Sequence, residues 1–95
     1  MEKVIENGIV YKREYWDPQR KIGIMYEFPY VDGFPNGMFR QWYHDGGRHL
    51  EVFLKRGFDH GIAKKWYPSG DRSFLRSYKN GRSDGVYVNF GWDED

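Results

Sequence analysis

Apolar and polar residues alternate along most of the chain, in short runs separated by glycine, asparagine, aspartate or proline. The alternation is clearest at Ile22, Ile24, Tyr26 and Phe28, which occupy every second position of one run. A period of two is typical of a β-strand with one buried and one wet face. The pattern therefore predicts an all-β chain of about seven short strands.

Turn-forming residues separate the predicted strands. Asn7-Gly8 predicts a two-residue hairpin turn, because both central residues of a type I′ turn need positive φ. Asp17-Pro18 predicts a further turn, and Pro29 predicts a strand end or a sheet edge because proline cannot donate to a ladder. Residues 56–60 and 80–84 are interpreted as connections, which places the start of the following strands at Gly61 and Gly85.

One stretch occurs twice with a period of 24 residues, which indicates a repeat architecture. Residues 37–60 and 61–84 are identical at seven of 24 positions, where ordinary composition would give roughly one or two. The identical pairs are Gly37/Gly61, Trp42/Trp66, Tyr43/Tyr67, Gly46/Gly70, Arg48/Arg72, Lys55/Lys79 and Gly57/Gly81. We therefore expect one domain over residues 1–95, with these two repeats, a partial repeat at 85–92 and a degenerate copy at 7–36.

Each repeat is predicted to form one β-hairpin, and a lone hairpin is marginal in water unless it packs on neighbours. The expected fold is an antiparallel meander of stacked hairpins. Its predicted structural residues are turn-setting glycines and two packing tryptophans: Gly37, Trp42, Gly46, Gly61, Trp66, Gly70, Gly81 and Gly85. The preferred buried set is Ile62, Trp66, Phe74 and Tyr78.

The repeat unit resembles the MORN-type repeat in its bacterial variant, found in the YwqK family of toxin–antitoxin antitoxins. The matching residues are Gly37, Trp42, Tyr43, Gly46, Arg48, Lys55, Gly57 and Gly61, followed by Trp66, Tyr67, Gly70, Arg72, Tyr78, Lys79, Asn80, Gly81 and Gly85. The resemblance covers residues 33–90 well and 7–32 poorly. It implies stacked β-hairpins that form an elongated sheet, and a binding scaffold rather than an active site.

Composition argues against several classes of function. A net charge of +1 argues against a strongly basic nucleic-acid binder, and the absence of cysteine excludes thiolate metal sites while fitting a reducing cytoplasm. No stretch is apolar enough for a transmembrane helix. His44, His49 and His60 fit polar turn positions better than a metal site, so the sequence predicts no catalytic residue, metal or cofactor.

The leading hypothesis is a cytoplasmic, bacterial or phage binding module that neutralises a protein partner, such as a toxin or effector, by occlusion. Exposed aromatic and arginine side chains dominate protein interfaces. The candidate residues are Phe39, Tyr43, Tyr67, Tyr87, Trp92, Arg48, Arg72 and Arg76. Two alternatives stay open: binding of single-stranded nucleic acid by rings interleaved with cations, and self-assembly or a homodimer through open strand edges.

Overall fold

Nine β-strands and no helix make up residues 2–90, the part of the chain that the computed structural model describes. The strands are β1 (Glu2–Glu6), β2 (Ile9–Asp17), β3 (Ile22–Val31), β4 (Phe34–Pro35), β5 (Gly37–Trp42), β6 (Arg48–Lys55), β7 (Phe58–Trp66), β8 (Arg72–Lys79) and β9 (Arg82–Asn89). They form one antiparallel sheet in the order β1-β2-β3-β5-β6-β7-β8-β9, and the short β4 pairs with β3. The predicted all-β meander is confirmed, and no helix in this part of the chain is long and apolar enough to cross a membrane.

Two kinds of turn alternate along the meander. Asn7-Gly8, Asp32-Gly33, Arg56-Gly57 and Asn80-Gly81 are two-residue turns in which both residues have positive φ. This backbone matches the twist of the adjoining strands, so the turns are tight. The longer turns repeat with the 24-residue period, since Gly46 N–H donates to the Tyr43 carbonyl at 2.9 Å and Gly70 N–H donates to the Tyr67 carbonyl at 2.9 Å.

The prediction of long connections at residues 56–60 and 80–84 is wrong. Because Arg56 and Asn80 adopt positive φ, the chain reverses direction within two residues at each of these turns. The strands β7 and β9 therefore begin at Phe58 and Arg82. Gly61 and Gly85 consequently lie inside strands rather than at turns. Both fall where the register with the preceding strand shifts, and their φ values of 85° and 88° accommodate these bulges.

Pro29 lies within β3 and does not end it. The β3–β5 pairing covers only Tyr26 and Glu27, so the sheet makes no ladder bond at the proline nitrogen on that side. The carbonyl of Pro29 instead accepts a hydrogen bond from Asn36 N–H at 2.9 Å. Gly37 is required beside it, because a Cβ there would come within 2.7 Å of the Pro29 Cγ and the φ of 127° also disfavours a side chain.

The core consists of Val52, Leu54 and Ala63, against which Phe39 and Tyr78 pack. Trp66 is also buried, with 4% of its surface exposed. The predicted buried set is wrong for Ile62, which is 45% exposed. Ile62 lies opposite Ser77, whereas Ala63 on the other face of β7 lies in the row that reaches Arg76 and Val52. Phe74 and Tyr78 are half-buried on the Ala63 face, and Trp66 is buried on the opposite one.

Candidate binding face

One face of the sheet carries two groups of aromatic side chains, and we name it the ring face. It comprises Tyr26, Phe28, Tyr30, Phe39, Phe74, Tyr78 and Tyr87, with Val52 and Ala63 between them. The cross-strand register fixes this face, because Phe39, Val52, Ala63, Arg76 and Tyr87 lie directly opposite one another from β5 to β9. Residues opposite one another in an antiparallel ladder share a face.

The rings of this face form two stacked groups. Near β3 and β5, the Phe39 ring centroid lies 5.8 Å from that of Tyr26 and 6.0 Å from that of Phe28. Near β8 and β9, the centroids of Phe74 and Tyr87 are 6.1 Å apart, with planes inclined by 20°. These spacings fall in the range of favourable aromatic pairs. The small side chain of Ala63 lies between the two groups, where the surface of the face forms a hollow.

Three cations on this face, Lys12, Lys65 and Arg76, lie over rings. The Lys12 Nζ is 4.1 Å from the Tyr30 ring centroid, and the Arg76 Cζ is 4.4 Å from that of Tyr87. The Lys65 Nζ and the Arg76 Cζ each lie 5.8 Å from the Phe74 centroid. Ring contact of this kind orients a cation without itself supplying a counter-charge.

Arg76 is the most constrained of these cations. Its Nη1 donates a hydrogen bond of 3.4 Å to the Tyr78 hydroxyl, and this bond raises the pKa of Arg76. Its Nε is buried and has no hydrogen-bond partner among the described residues. A buried donor without a partner costs free energy, so a ligand oxygen that reached this group would recover it.

A hollow of about 290 Å³ lies in the middle of the ring face, lined by Gln41, His49, Leu50, Val52, Asp59, Ala63, Lys65, Phe74 and Tyr78. His49 stacks on Tyr43 with 4.1 Å between the ring centroids. Burial, together with the charge of Lys65, lowers the pKa of His49. The hollow therefore combines apolar walls with a lysine, the carboxylate of Asp59 and a histidine whose pKa is lowered.

No family model, curated protein or solved structure matches this chain. The MORN-like pattern of the repeats thus stays a resemblance, and the site has to be interpreted from its own chemistry.

The opposite face, which we name the charge face, pairs charges across neighbouring strands. Its row runs Arg13, Glu27, Arg40, Glu51 and Lys64 from β2 to β7, so each base lies opposite an acid. The Arg13 Nε donates to the Glu27 Oε1 at 2.7 Å, and the Arg40 Nε lies 3.7 Å from the Glu51 Oε2. Burial lowers the pKa of Arg13, but hydrogen bonds to Tyr15, Glu27 and Glu6 outweigh that effect and raise it.

The structure divides the predicted binding residues between the two faces. Phe39, Arg76 and Tyr87 lie on the ring face, and Phe39 also supports the core. Arg48 and Arg72 lie elsewhere: the Arg48 Cζ is 4.6 Å from the Trp66 ring centroid, and the Arg72 Cζ is 5.7 Å from that of Phe90. These two contacts are one repeat apart and reinforce the scaffold. Trp92 lies outside the described residues.

Tyr43 has a structural role in addition to any binding role. Its hydroxyl donates a 2.7 Å hydrogen bond to the Trp66 carbonyl and so joins successive repeats. Tyr67 occupies the equivalent position after β7, where its N–H donates to the Asp71 carbonyl at 2.8 Å, as Tyr43 N–H does to Gly47. Replacing both tyrosines would therefore test stability together with binding.

Sequence reasoning predicted that Tyr26 and Phe28 share a face of their strand, but it missed that Lys12, Tyr30 and Lys65 lie on this face of the sheet. Their period-two spacing was visible within each strand, but bulges between Glu14 and Tyr15 and between Val52 and Leu54 shift the register from strand to strand. The charge face could have been predicted from the sequence, because its basic and acidic residues alternate from one strand to the next.

Proposed function

We propose that this domain is a non-enzymatic protein-binding module, antitoxin-like or inhibitor-like, whose ring face docks on a partner protein and occludes it. The observation that supports the proposal most is the exposed Tyr87 at the β9 end of the ring face, beside half-buried rings that no second layer of the described residues covers. Within residues 2–90 the sheet is a single layer, and Tyr87 is 48% exposed with an arginine over its ring. Aromatic and arginine side chains of this kind supply most of the binding energy at protein interfaces.

The chemistry of the face also indicates what its partner presents. Lys12, Lys65 and Arg76 lie over rings, whereas the close ion pairs of Arg13 with Glu27 and of Arg40 with Glu51 lie on the charge face. A partner surface with apolar side chains flanked by aspartate or glutamate would match both the rings and the cations. The MORN-like resemblance supports the same kind of scaffold and suggests a toxin or effector as the partner.

Adjacent lysines provide a matched test of the proposal. Lys65 lies on the ring face and Lys64 on the charge face, one residue apart on β7. The intact chain, Lys65→Gln with Tyr87→Ala, and Lys64→Gln would each be used to capture proteins from cells of the source organism. A captured protein would then be purified and its Kd measured against all three chains.

We expect the partner to bind the intact chain and Lys64→Gln with similar Kd, and to bind the ring-face variant at least tenfold more weakly. Thermal unfolding of the three chains would show whether the fold is retained. Equal loss of binding in both variants, or none in the ring-face variant, would contradict docking on the ring face.

A second candidate function is the binding of single-stranded RNA, which the same cations over the half-buried Tyr30 and the exposed Tyr87 favour. A labelled oligonucleotide titrated at low and moderate salt would distinguish the two. Binding that weakens steeply with salt, and that Lys65→Gln reduces more than Lys64→Gln, would support RNA binding. Failure to bind at low salt would exclude it.

A further inference from the structure

The two ends of the sheet are different kinds of strand. Within residues 2–90, β1 and β9 each hydrogen-bond to a single neighbour. β1 leads into the two-residue turn at Asn7-Gly8, as β8 leads into Asn80-Gly81. β9 follows such a turn, as β7 follows Arg56-Gly57. The outer edge of β9 is therefore equivalent to the edge of β7 that pairs with β8. The outer edge of β1 is equivalent to the edge of β8 that pairs with β7.

The β7–β8 pairing supplies a register for joining these two edges. In it, Gly61 lies opposite Tyr78, Ala63 opposite Arg76, and Lys64 opposite Leu75. The β5–β6 pairing has the same register one repeat earlier, with Gly37 opposite Leu54 and Phe39 opposite Val52. Shifting β7 to β9 by 24 residues, and aligning β8 with β1 on their turns, gives the pairs Gly85/Ile5, Tyr87/Lys3 and Val88/Glu2.

The faces match in this register. Lys3 lies opposite Lys12 on the ring face, which is also the face of Tyr87, whereas Glu2 lies opposite Arg13 on the charge face, which is also the face of Val88. A shift of one residue would place every side chain on the wrong face. Ile5 is 66% exposed, and the pairing would set it beside Gly85, as Tyr78 is set beside Gly61.

We propose that a second copy of this chain adds its β1 to the β9 edge in this register, so that the repeat continues in phase from one molecule to the next. The contact joins unlike edges, so each pair of molecules still has one β1 edge and one β9 edge exposed. Association is then open-ended, and average mass rises with concentration instead of stopping at a dimer. The short β1, five residues long, keeps the association weak.

Paired cysteines test the register directly, because the chain contains no cysteine of its own. Glu6 flanks a two-residue turn, so its backbone N–H and C=O groups point towards β2, and those of Glu2, four residues earlier, point the same way. Glu2 would therefore lie opposite Val88 of a second copy as a non-hydrogen-bonded pair. Cα atoms in such pairs are about 4.5 Å apart, which a disulfide can span. A chain with Glu2→Cys and Val88→Cys should form a disulfide-linked ladder of oligomers on mild oxidation.

The matched control is Lys3→Cys with Val88→Cys, which places the two thiols on opposite faces. We expect at least tenfold less ladder from this control, and only dimers from a mixture of the two single variants Glu2→Cys and Val88→Cys. Circular dichroism before oxidation would verify that all variants are folded. Equal ladders from the matched and control chains, no ladder from the matched chain, or abundant dimers from Glu2→Cys alone would each overturn the proposal.

One unfavourable pair in this register provides a second test. Asp84 of one copy would lie beside Glu6 of the next, and like charges directly opposite each other weaken strand pairing. The side chain of Asp84 is exposed, and its carbonyl, which accepts the Ser77 hydroxyl at 2.7 Å, is retained in Asp84→Lys. Sedimentation over a hundredfold concentration range should show association several-fold tighter in Asp84→Lys than in the natural chain. Unchanged or weaker association would overturn the register.

Discussion

The two faces of the sheet use their charges in opposite ways. On the charge face, Arg13 and Glu27 lie within 2.7 Å of each other and are both largely buried, so their charges are satisfied within the molecule. On the ring face, Lys12, Lys65 and Arg76 lie over aromatic rings. Basic residues therefore pair with carboxylates on one side of the sheet and contact aromatic rings on the other. The comparison indicates that position in the ladder, rather than composition, decides whether a cation on this sheet forms an ion pair or lies over a ring.

The largest expected effect concerns Trp66, the buried ring on the side opposite the core cluster. Trp66→Ala should lower the free energy of unfolding by about 3–5 kcal/mol, because it removes a large buried side chain and leaves a cavity. Urea denaturation would measure the loss. Trp42→Ala, at the half-buried equivalent position one repeat earlier, should cost clearly less. Equal losses would mean that the two repeats share the core evenly.

The ion pairs of the charge face should differ in strength with burial. Glu27→Gln should lower stability by about 1–2 kcal/mol, because it weakens the short, largely buried contact with Arg13. Glu51→Gln should cost about 0.5 kcal/mol or less, because Arg40 is more exposed and 3.7 Å away. Chemical denaturation of both variants measures the difference. A larger loss for Glu51→Gln would contradict the order assigned to the ladder.

Tyr43→Phe tests whether the ring of Tyr43 belongs to the scaffold. The change removes the hydroxyl bond to the Trp66 carbonyl but keeps the stack on His49, so we expect a loss of about 1 kcal/mol. The thermal midpoint would report it. Tyr67→Phe serves as the comparison at the equivalent position. If Tyr43→Phe left the midpoint unchanged and still weakened partner binding, Tyr43 would belong to the binding surface.

The smallest expected effect is a pH dependence on the ring face. Burial and Lys65 lower the pKa of His49 in the folded state below the unfolded value of about 6.5. The unfolded chain therefore takes up the proton first, and stability should be full above about pH 6.5 and decline as the pH falls below it. Denaturation between pH 7.5 and 5 should show a shallower decline in His49→Gln and in Lys65→Gln. Identical slopes in all three chains would exclude His49 as the cause.

Much of the fold was predictable from local pattern. The positive φ at Asn7-Gly8 and the Asp17 turn, where the Asp17 Oδ1 accepts the Arg20 N–H at 3.1 Å, follow from the residues themselves. The 24-residue period correctly predicted that equivalent turns would recur, because backbone hydrogen bonds of a repeat depend on short-range spacing. The two-residue turn at Arg56 escaped prediction, since arginine rarely adopts positive φ, whereas Asn80-Gly81 has the same residue pair as Asn7-Gly8 and could have been predicted in the same way.

The faces could not be assigned in the same way. Ile62 is the larger and more apolar residue, yet the small Ala63 occupies the core. Packing decides this, because Phe39 and Tyr78 pack against the cluster that contains Ala63, and Ala63 is only 3% exposed, so a larger side chain there would have to displace its neighbours. The bulge around Gly61 then sets which residues of β6 and β7 share a face. The face of a residue therefore depends on the pairing register between strands, which the pattern within one strand does not predict.

The bond from the Tyr43 hydroxyl to the Trp66 carbonyl spans 23 residues, which is nearly one period of the chain. Ties of this length connect each hairpin only to the next, so the molecule behaves as a row of units held by nearest-neighbour contacts. Such a row can grow by duplication of a whole unit without rebuilding what is already there. Each added unit would contribute two strands and about 9.5 Å of new surface, given the usual spacing between strands. The length of the sheet is therefore a quantity that gene duplication can adjust in fixed steps.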